Sequence, residues 1–189
     1  MSRDELTGGQ AVLDACVLYP TVLREILIEV AAAGLIEPVW SARIIGEWLH
    51  AAERLGADAA RVARVEAALM AERFSDAMAP DDGERAVGLD LPDPSDRHVV
   101  EAALAAGAPL IVTANLRDFP RGAMAAVGLE ARHPDAFLLG LWLEAPEVVG
   151  AAIAQVHARA EALGGEMTRR AMLKRVGLPR LAKALDRLD

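Results

Sequence analysis

Residues 109–113, "PLIVT", are apolar up to the last position and follow directly on "DPSDRHVVEAALAAG", a stretch with helical spacing. A strand with no polar face needs cover on both sides, and a parallel sheet held between two layers of helices provides it. The same segment raises a difficulty. Asp93 and Asp96 precede the strand and Asp118 follows it in "TANLRDFP", so carboxylates gather near the ends of a buried element, where like charges repel.

The rest of the chain repeats the strand–helix alternation. "AVLDACVLYP" begins as a short buried strand ending near Asp14, and "PTVLREILIEVAAAG" places Val22, Leu23, Ile26, Leu27 and Val30 on one helical side before Gly34. "LIEPVW" reads as a second strand, with Ser41 as N-cap of a helix "ARIIGEWLHAAERLG" ending at Gly56. Asp58 is positioned to cap a further helix, and "AVGLD" is a third strand candidate. Asp93 or Ser95 can cap the helix before "PLIVT", with Pro94 in its first turn and Gly107 at its end. "GLEARHP" is a last strand, followed by three helix signals: "PDAFLLGLWLEA", "PEVVGAAIAQVHARAEALGG" and "TRRAMLKRVGLPRLAKALDRL".

This pattern predicts an α/β fold, a three-layer α/β/α sandwich around a central parallel sheet, with helices appended at the C-terminal side. Pro134 and Pro146 mark the seams, the second more strongly, giving a domain over residues 11–145 and a helical extension over 146–189.

Hydrophobic residues make up 53% of the 189, yet no apolar run reaches the roughly 18–20 residues of a membrane helix. The acidic opening "MSRDELTGGQ" has no hydrophobic signal region, and the lone Cys16 excludes an intrachain disulfide and a cysteine-based zinc site. A cytoplasmic location is the expectation. A net charge of −8 argues against a generic nucleic-acid binder. Residues 168–189, however, hold seven Lys and Arg against two acids, so the tail is a basic patch on an acidic body; a solvated helical face and a binding face both explain it.

Nucleotide-binding glycine loops, serine-hydrolase elbows and H-E-x-x-H motifs are absent, and His50, His98, His133 and His157 lack ligand spacing. What remains is acids. Ligands of an open parallel sheet bind outside the carboxyl ends of its strands, where Asp14 and the turn from Asn115 to Asp118 belong. Each acid also has an ordinary use: Asp14 in an Asx turn, Asp93 as a cap, Asp96 at a helix dipole, Glu47 as a flanking charge beside Ile44 and Trp48. Asn115 could supply a turn and Thr113 a strand residue. Asp96, though, shares a helical stripe with Val99, Val100 and Ala103, and a carboxylate on that inward stripe is harder to explain by solvation. Two carboxylates about 4 Å apart repel by roughly 4 kcal/mol at an effective dielectric near 20, against total stabilities of about 5–15 kcal/mol. Several converging acids therefore need a cation, a shared proton or wide separation. Oxygen-only donors favour a hard ion, Mg²⁺ or Mn²⁺.

"VLDACVLYP", "WSARIIGEWLH", "DPSDRHVVEAALAAGAPLIVTANLRDFP" and "HPDAFLLGL" together resemble PIN-domain ribonucleases, in particular the VapC-like toxin branch with a helical C-terminal extension. The resemblance runs from about Ala11 to Leu141, and the "TANLRDFP" turn is its most specific part. It implies a PIN fold, divalent-metal-dependent cleavage of RNA, inhibition by a cognate antitoxin and a homodimer. The family's acids fall on Asp14, Glu47 and Asp96, with Asp14, Asp96 and Asp118 as metal ligands. Many relatives have Asp where this chain has Asn115, so Asp118 is taken to supply that charge. Asp93, Thr113 and Asn115 are supporting residues. With RNA as substrate, Arg169, Arg170, Lys174 and Arg175 of the basic tail become candidate contacts. Two other readings stay open: a phosphotransfer module with Asp14 as nucleophile, which lacks a nearby strand-end lysine because Lys174 and Lys183 both lie in the tail, and a catalytically inactive PIN-like scaffold that binds a protein or RNA partner.

Overall fold

The structure, a computed structural model, describes residues 8–164 and 166–186. The elements run β1 (Gly9–Leu13), α1 (Ala15–Leu18), α2 (Thr21–Ala32), β2 (Ile36–Ser41), α3 (Ala42–Glu53), α4 (Ala57–Arg73) and β3 (Met78–Ala79). A 3-10 turn, Pro94–Asp96, leads into α5 (Arg97–Ala106), β4 (Leu110–Val112), α6 (Arg121–Ala126) and β5 (Glu130–Arg132). The helices α7 (Pro134–Glu144), α8 (Pro146–Ala162), α9 (Arg169–Arg175) and α10 (Pro179–Leu185) follow.

All strand pairs are parallel, in the order β3-β2-β1-β4-β5, and flanking helices complete the expected α/β/α sandwich. β4 is buried at every position, as its apolar sequence requires. Progress from β1 through β2 to β3 runs one way across the sheet, and from β4 to β5 the other. The reversal falls between β1 and β4, which pair with Val12 opposite Ile111 and Leu13 opposite Val112. Loops leaving two such strands diverge to opposite faces and leave a crevice at their carboxyl ends. Asp14 follows β1 directly, and Thr113 follows β4.

Local signals set several boundaries. The Ser41 hydroxyl accepts from the Ile44 amide at 3.2 Å and opens α3. Gly107 closes α5 with φ 70°, a left-handed conformation that costs glycine little.

The third strand is not "AVGLD". Glu101 of α5, fully buried, accepts from the Arg85 amide at 2.8 Å and the Ala86 amide at 2.6 Å. Those amides are thereby committed to a carboxylate, and the pairing with β2 is made by Met78 and Ala79. Asp58 is not a cap either: Gly56 holds that place, and Asp58 lies in the first turn of α4, paired to Arg61 at 3.1 Å. α3 ends at Glu53, three residues before the expected Gly56. The last helix signal is two helices, broken at Gly177 (φ 81°) and restarted at Pro179. Short α1 and α6 carry too few residues for a periodic signal.

The core is continuous from the sheet into the C-terminal helices: Phe137, Leu138 and Leu141 of α7 are buried together with Val149, Ile153 and Val156 of α8 and Leu181 of α10. Buried Asp135 ties α7 to α10 by accepting from the amides of Arg180 and Leu181, both at 3.0 Å, at the start of α10. Arg159 of α8 reaches Glu25 at 3.2 Å and Glu29 at 2.8 Å on α2. Among the described residues, no helix is long and apolar enough to cross a membrane.

Candidate functional site

Asp14 sits at the exit of β1, 9% exposed, with extended backbone just before α1. Its Oδ2 accepts from the Thr113 hydroxyl at 2.7 Å and from the Cys16 thiol at 3.0 Å. Burial and the neighbouring Asp14 push the Cys16 thiol up to about 12, so it stays protonated and donates. The Thr113 oxygen in turn accepts from the Asn115 amide at 3.0 Å, which aligns the turn after β4. Within that turn the Asn115 side-chain amide donates to Asp118. Two hydrogen-bonded units, Asp14–Thr113–Cys16 and Asn115–Asp118, thus meet across the crevice.

Asp96 enters from the 3-10 turn before α5, half-buried. Its carboxyl is pushed up to about 6, first by burial and then by the charges of Asp14, Asp118, Asp93 and Glu47. Five carboxylates, Asp96 among them, therefore share one field. Asp93 is a cap: its Oδ1 accepts from the Ser95 amide at 2.8 Å, and that bond holds its carboxyl below the usual range.

Glu47 projects from α3, 42% exposed, between Arg43 and His98. The Arg43 Nε lies 3.4 Å away, and Arg43 is itself anchored to the Ser95 carbonyl at 3.1 Å. On the other side, Nε2 of buried His98 lies 3.0 Å from Glu47 Oε1, close in distance but without hydrogen-bond alignment. Burial lowers the His98 pKa against the opposing pull of Glu47, favouring a neutral ring. The histidine spacing along the chain gave no hint of this contact, because the pair joins α3 to α5.

All four predicted acids, with Asp93, Thr113 and Asn115, converge at the switch point. Arg169, Arg170, Lys174 and Arg175 do not join them. They are exposed on α9, which packs against α8 and α10, and Arg170 is paired with Asp186 at 2.5 Å. Arg187 and Asp189 of the basic tail lie outside the described residues.

Among the described residues, no three His, Cys, Asp or Glu side chains are drawn close enough together to hold a metal ion as they stand. The set nevertheless fits a hard divalent cation in chemistry: its donors are carboxylate oxygens, and the field at Asp96 is one that positive charge would relieve.

The arrangement defines a class. Residues 10–117, more than half of the chain, match the family model described as PIN domain, and the chain belongs to that family. A stretch of 44 residues is 50% identical to a protein of Mycobacterium tuberculosis named "Putative ribonuclease VapC50". This match covers 23% of the present chain and 26% of that relative, so the chain spans about a quarter of the relative's length. No solved structure matches significantly.

Proposed function

We infer that the chain is a divalent-metal-dependent endoribonuclease and the toxin of a toxin-antitoxin pair. The observation that carries this reading is the convergence of Asp14, Glu47, Asp96 and Asp118 at the switch point, close enough for the other three to raise the Asp96 carboxyl. Membership of the PIN family and the name of the mycobacterial relative support it. Residues 11–145 form the nuclease and 146–189 the helical extension. A cognate antitoxin and a second copy of the chain are its protein partners, and the cytoplasm is its compartment.

Unscreened, the acids would repel an RNA phosphate, so the site needs Mg²⁺ or Mn²⁺ for binding as well as for chemistry. Such a cation, when bound, supplies positive charge to the phosphate and activates water for attack. The chain contributes position. Asp14, Asp96 and Asp118 would hold the cation, with Asp14 oriented by Thr113 and Cys16, and Asp118 by Asn115. Glu47, held between Arg43 and His98, is a further ligand or orients the attacking water. Proton transfer to and from the RNA 2′-hydroxyl would call for a pair of general acid-base groups, typically histidines, and among the described residues His98 stands beside these acids without a second histidine. Water therefore attacks phosphorus in line with the departing 3′-oxygen, leaving 5′-phosphate and 3′-hydroxyl ends.

The test is cleavage of labelled RNA by purified protein with Mg²⁺, with Mn²⁺ and with chelator, beside Asp14→Asn. Metal-dependent cleavage lost in the variant, with 3′-hydroxyl products, is the expected result. Full activity in chelator, or 2′,3′-cyclic phosphate ends, would sink the mechanism and favour the inactive scaffold or an unrelated site.

A further inference from the structure

We propose that a cleft on the β5 side of the acid cluster holds the RNA strand next to the scissile phosphate, with Arg121, Arg132 and Arg180 meeting its backbone and His133 donating to a base or phosphate. The ligand's identity as RNA rests on the nuclease reading; the cleft itself does not. It measures about 700 Å³, at the scale of pockets that enclose small ligands, about 300–1,000 Å³.

Continuity with the catalytic end of the sheet is the first argument. Leu116, inside the turn from Asn115 to Asp118, forms one wall. The Thr113 amide donates to the Arg132 carbonyl at 3.1 Å while the Thr113 hydroxyl holds Asp14, so one residue joins the cleft to the first acid.

Charge is the second. The chain carries −8, yet this cleft is lined by three guanidinium groups and one acid, Glu130. Glu130 is already engaged by Arg132, from Nε at 2.9 Å and Nη2 at 2.7 Å, which leaves a net positive lining. Arg180 arrives through the Asp135 cap that docks α10 on α7. His133 accepts the Asp135 amide on Nδ1 at 3.2 Å, so the neutral ring carries its proton on Nε2 and is a donor. The floor is apolar, from Met124, Leu129 and Ala136. A cationic rim over an apolar floor matches the two needs of a single strand, backbone neutralisation and cover for a base.

The basic face of α9 is the competing location, and the experiment separates the two. Binding of a fluorescent single-stranded oligoribonucleotide of roughly 12 nucleotides is measured by anisotropy over a salt series at fixed Mg²⁺, which screens the acids, in the full chain carrying Asp14→Asn to prevent cleavage. Arg121→Gln with Arg180→Gln is compared with Lys174→Gln plus Arg175→Gln, which removes the same charge from α9. The cleft pair should weaken binding roughly tenfold or more and flatten the salt slope by about 1.4, the loss expected for two phosphate contacts on a single strand. The α9 pair should change both far less. Equal losses in the two variants, unchanged binding in the cleft pair, or no RNA binding by the parent would each overturn the cleft; a melting temperature near the parent's excludes misfolding as the cause. Absence of cleavage by the intact protein with either metal would remove the nuclease reading while leaving the cleft result standing.

Discussion

The Thr113 hydroxyl donates to Asp14 Oδ2 at 2.7 Å, joining residues 99 positions apart at the carboxyl ends of β4 and β1. Both side chains are buried, so neither can exchange this bond for water without moving the strands.

Thr113→Val keeps the shape and removes the hydroxyl. The buried Asp14 loses a donor, a cost of about 1–3 kcal/mol for a buried group left short of a partner, and the Asn115 amide, in an exposed turn, exchanges its acceptor for water. Thermal melting should show the loss, and RNA cleavage should fall further than stability alone explains, because Asp14 is no longer held in one orientation. Thr113→Ser should restore much of both.

What the sequence makes legible is what short range determines. Ser41, Gly107 and the apolar β4 act through residues within a few positions of themselves, and the acids at β1 and β4 follow from the parallel topology once the strands are placed. The features misread or left unread depend on distant partners. "AVGLD" has strand composition, but Glu101 takes up its neighbouring amides. His98 meets Glu47 only because α5 packs beside α3, and Asp135 caps a helix that begins 44 residues later.

His98 is expected to position Glu47 rather than to move protons. His98→Ala would remove a buried ring and one of the two groups holding Glu47. Cleavage should fall and the metal concentration for half-maximal rate should rise, while Glu47→Ala in the same background adds little. A fully additive double variant would show that the two residues act independently.

Glu101 offers a test of the fold away from the acids. Glu101→Leu leaves the amides of Arg85 and Ala86 without their acceptor, at about 1–3 kcal/mol for the buried Ala86 amide and less for that of exposed Arg85. Urea unfolding should report a lower midpoint, and Glu101→Gln, which keeps one accepting oxygen, should lose less.

Asp96 sets a pH dependence. Its folded carboxyl titrates near 6, above the roughly 3.9 of an unfolded aspartate, so the folded state binds more protons between those values. The stability this contributes is fully present below the unfolded value and is lost as pH rises through about 6. His98, with its lowered pKa, acts in the opposite direction, so the comparison is made against a variant. Without metal, Asp96→Asn should melt above wild type at neutral pH and lose that advantage in mild acid. Millimolar Mg²⁺ or Mn²⁺ should raise the wild-type melting temperature and move the variant little. A melting difference independent of pH would contradict the shared field.

Asn115→Asp addresses the departure from the pattern that many relatives show. The Asn115 amide donates to Asp118 and so offsets part of its charge. An aspartate there would exchange a donor for a second acceptor and set two carboxylates face to face, close to Asp14 and Asp96. Without metal the variant should melt below wild type and, by the same repulsion, drive the Asp96 carboxyl higher still. With Mn²⁺ the order should reverse, because an added carboxylate strengthens a site for a hard cation, and ligand-linked stabilisation grows by about 1.4 kcal/mol for each tenfold gain in affinity once metal is in excess. Calorimetric titration of Mn²⁺ into both proteins measures that affinity directly. Equal affinity with equal melting shifts would mean that position 115 faces no metal, and that the Asn115–Asp118 contact serves only to close the turn.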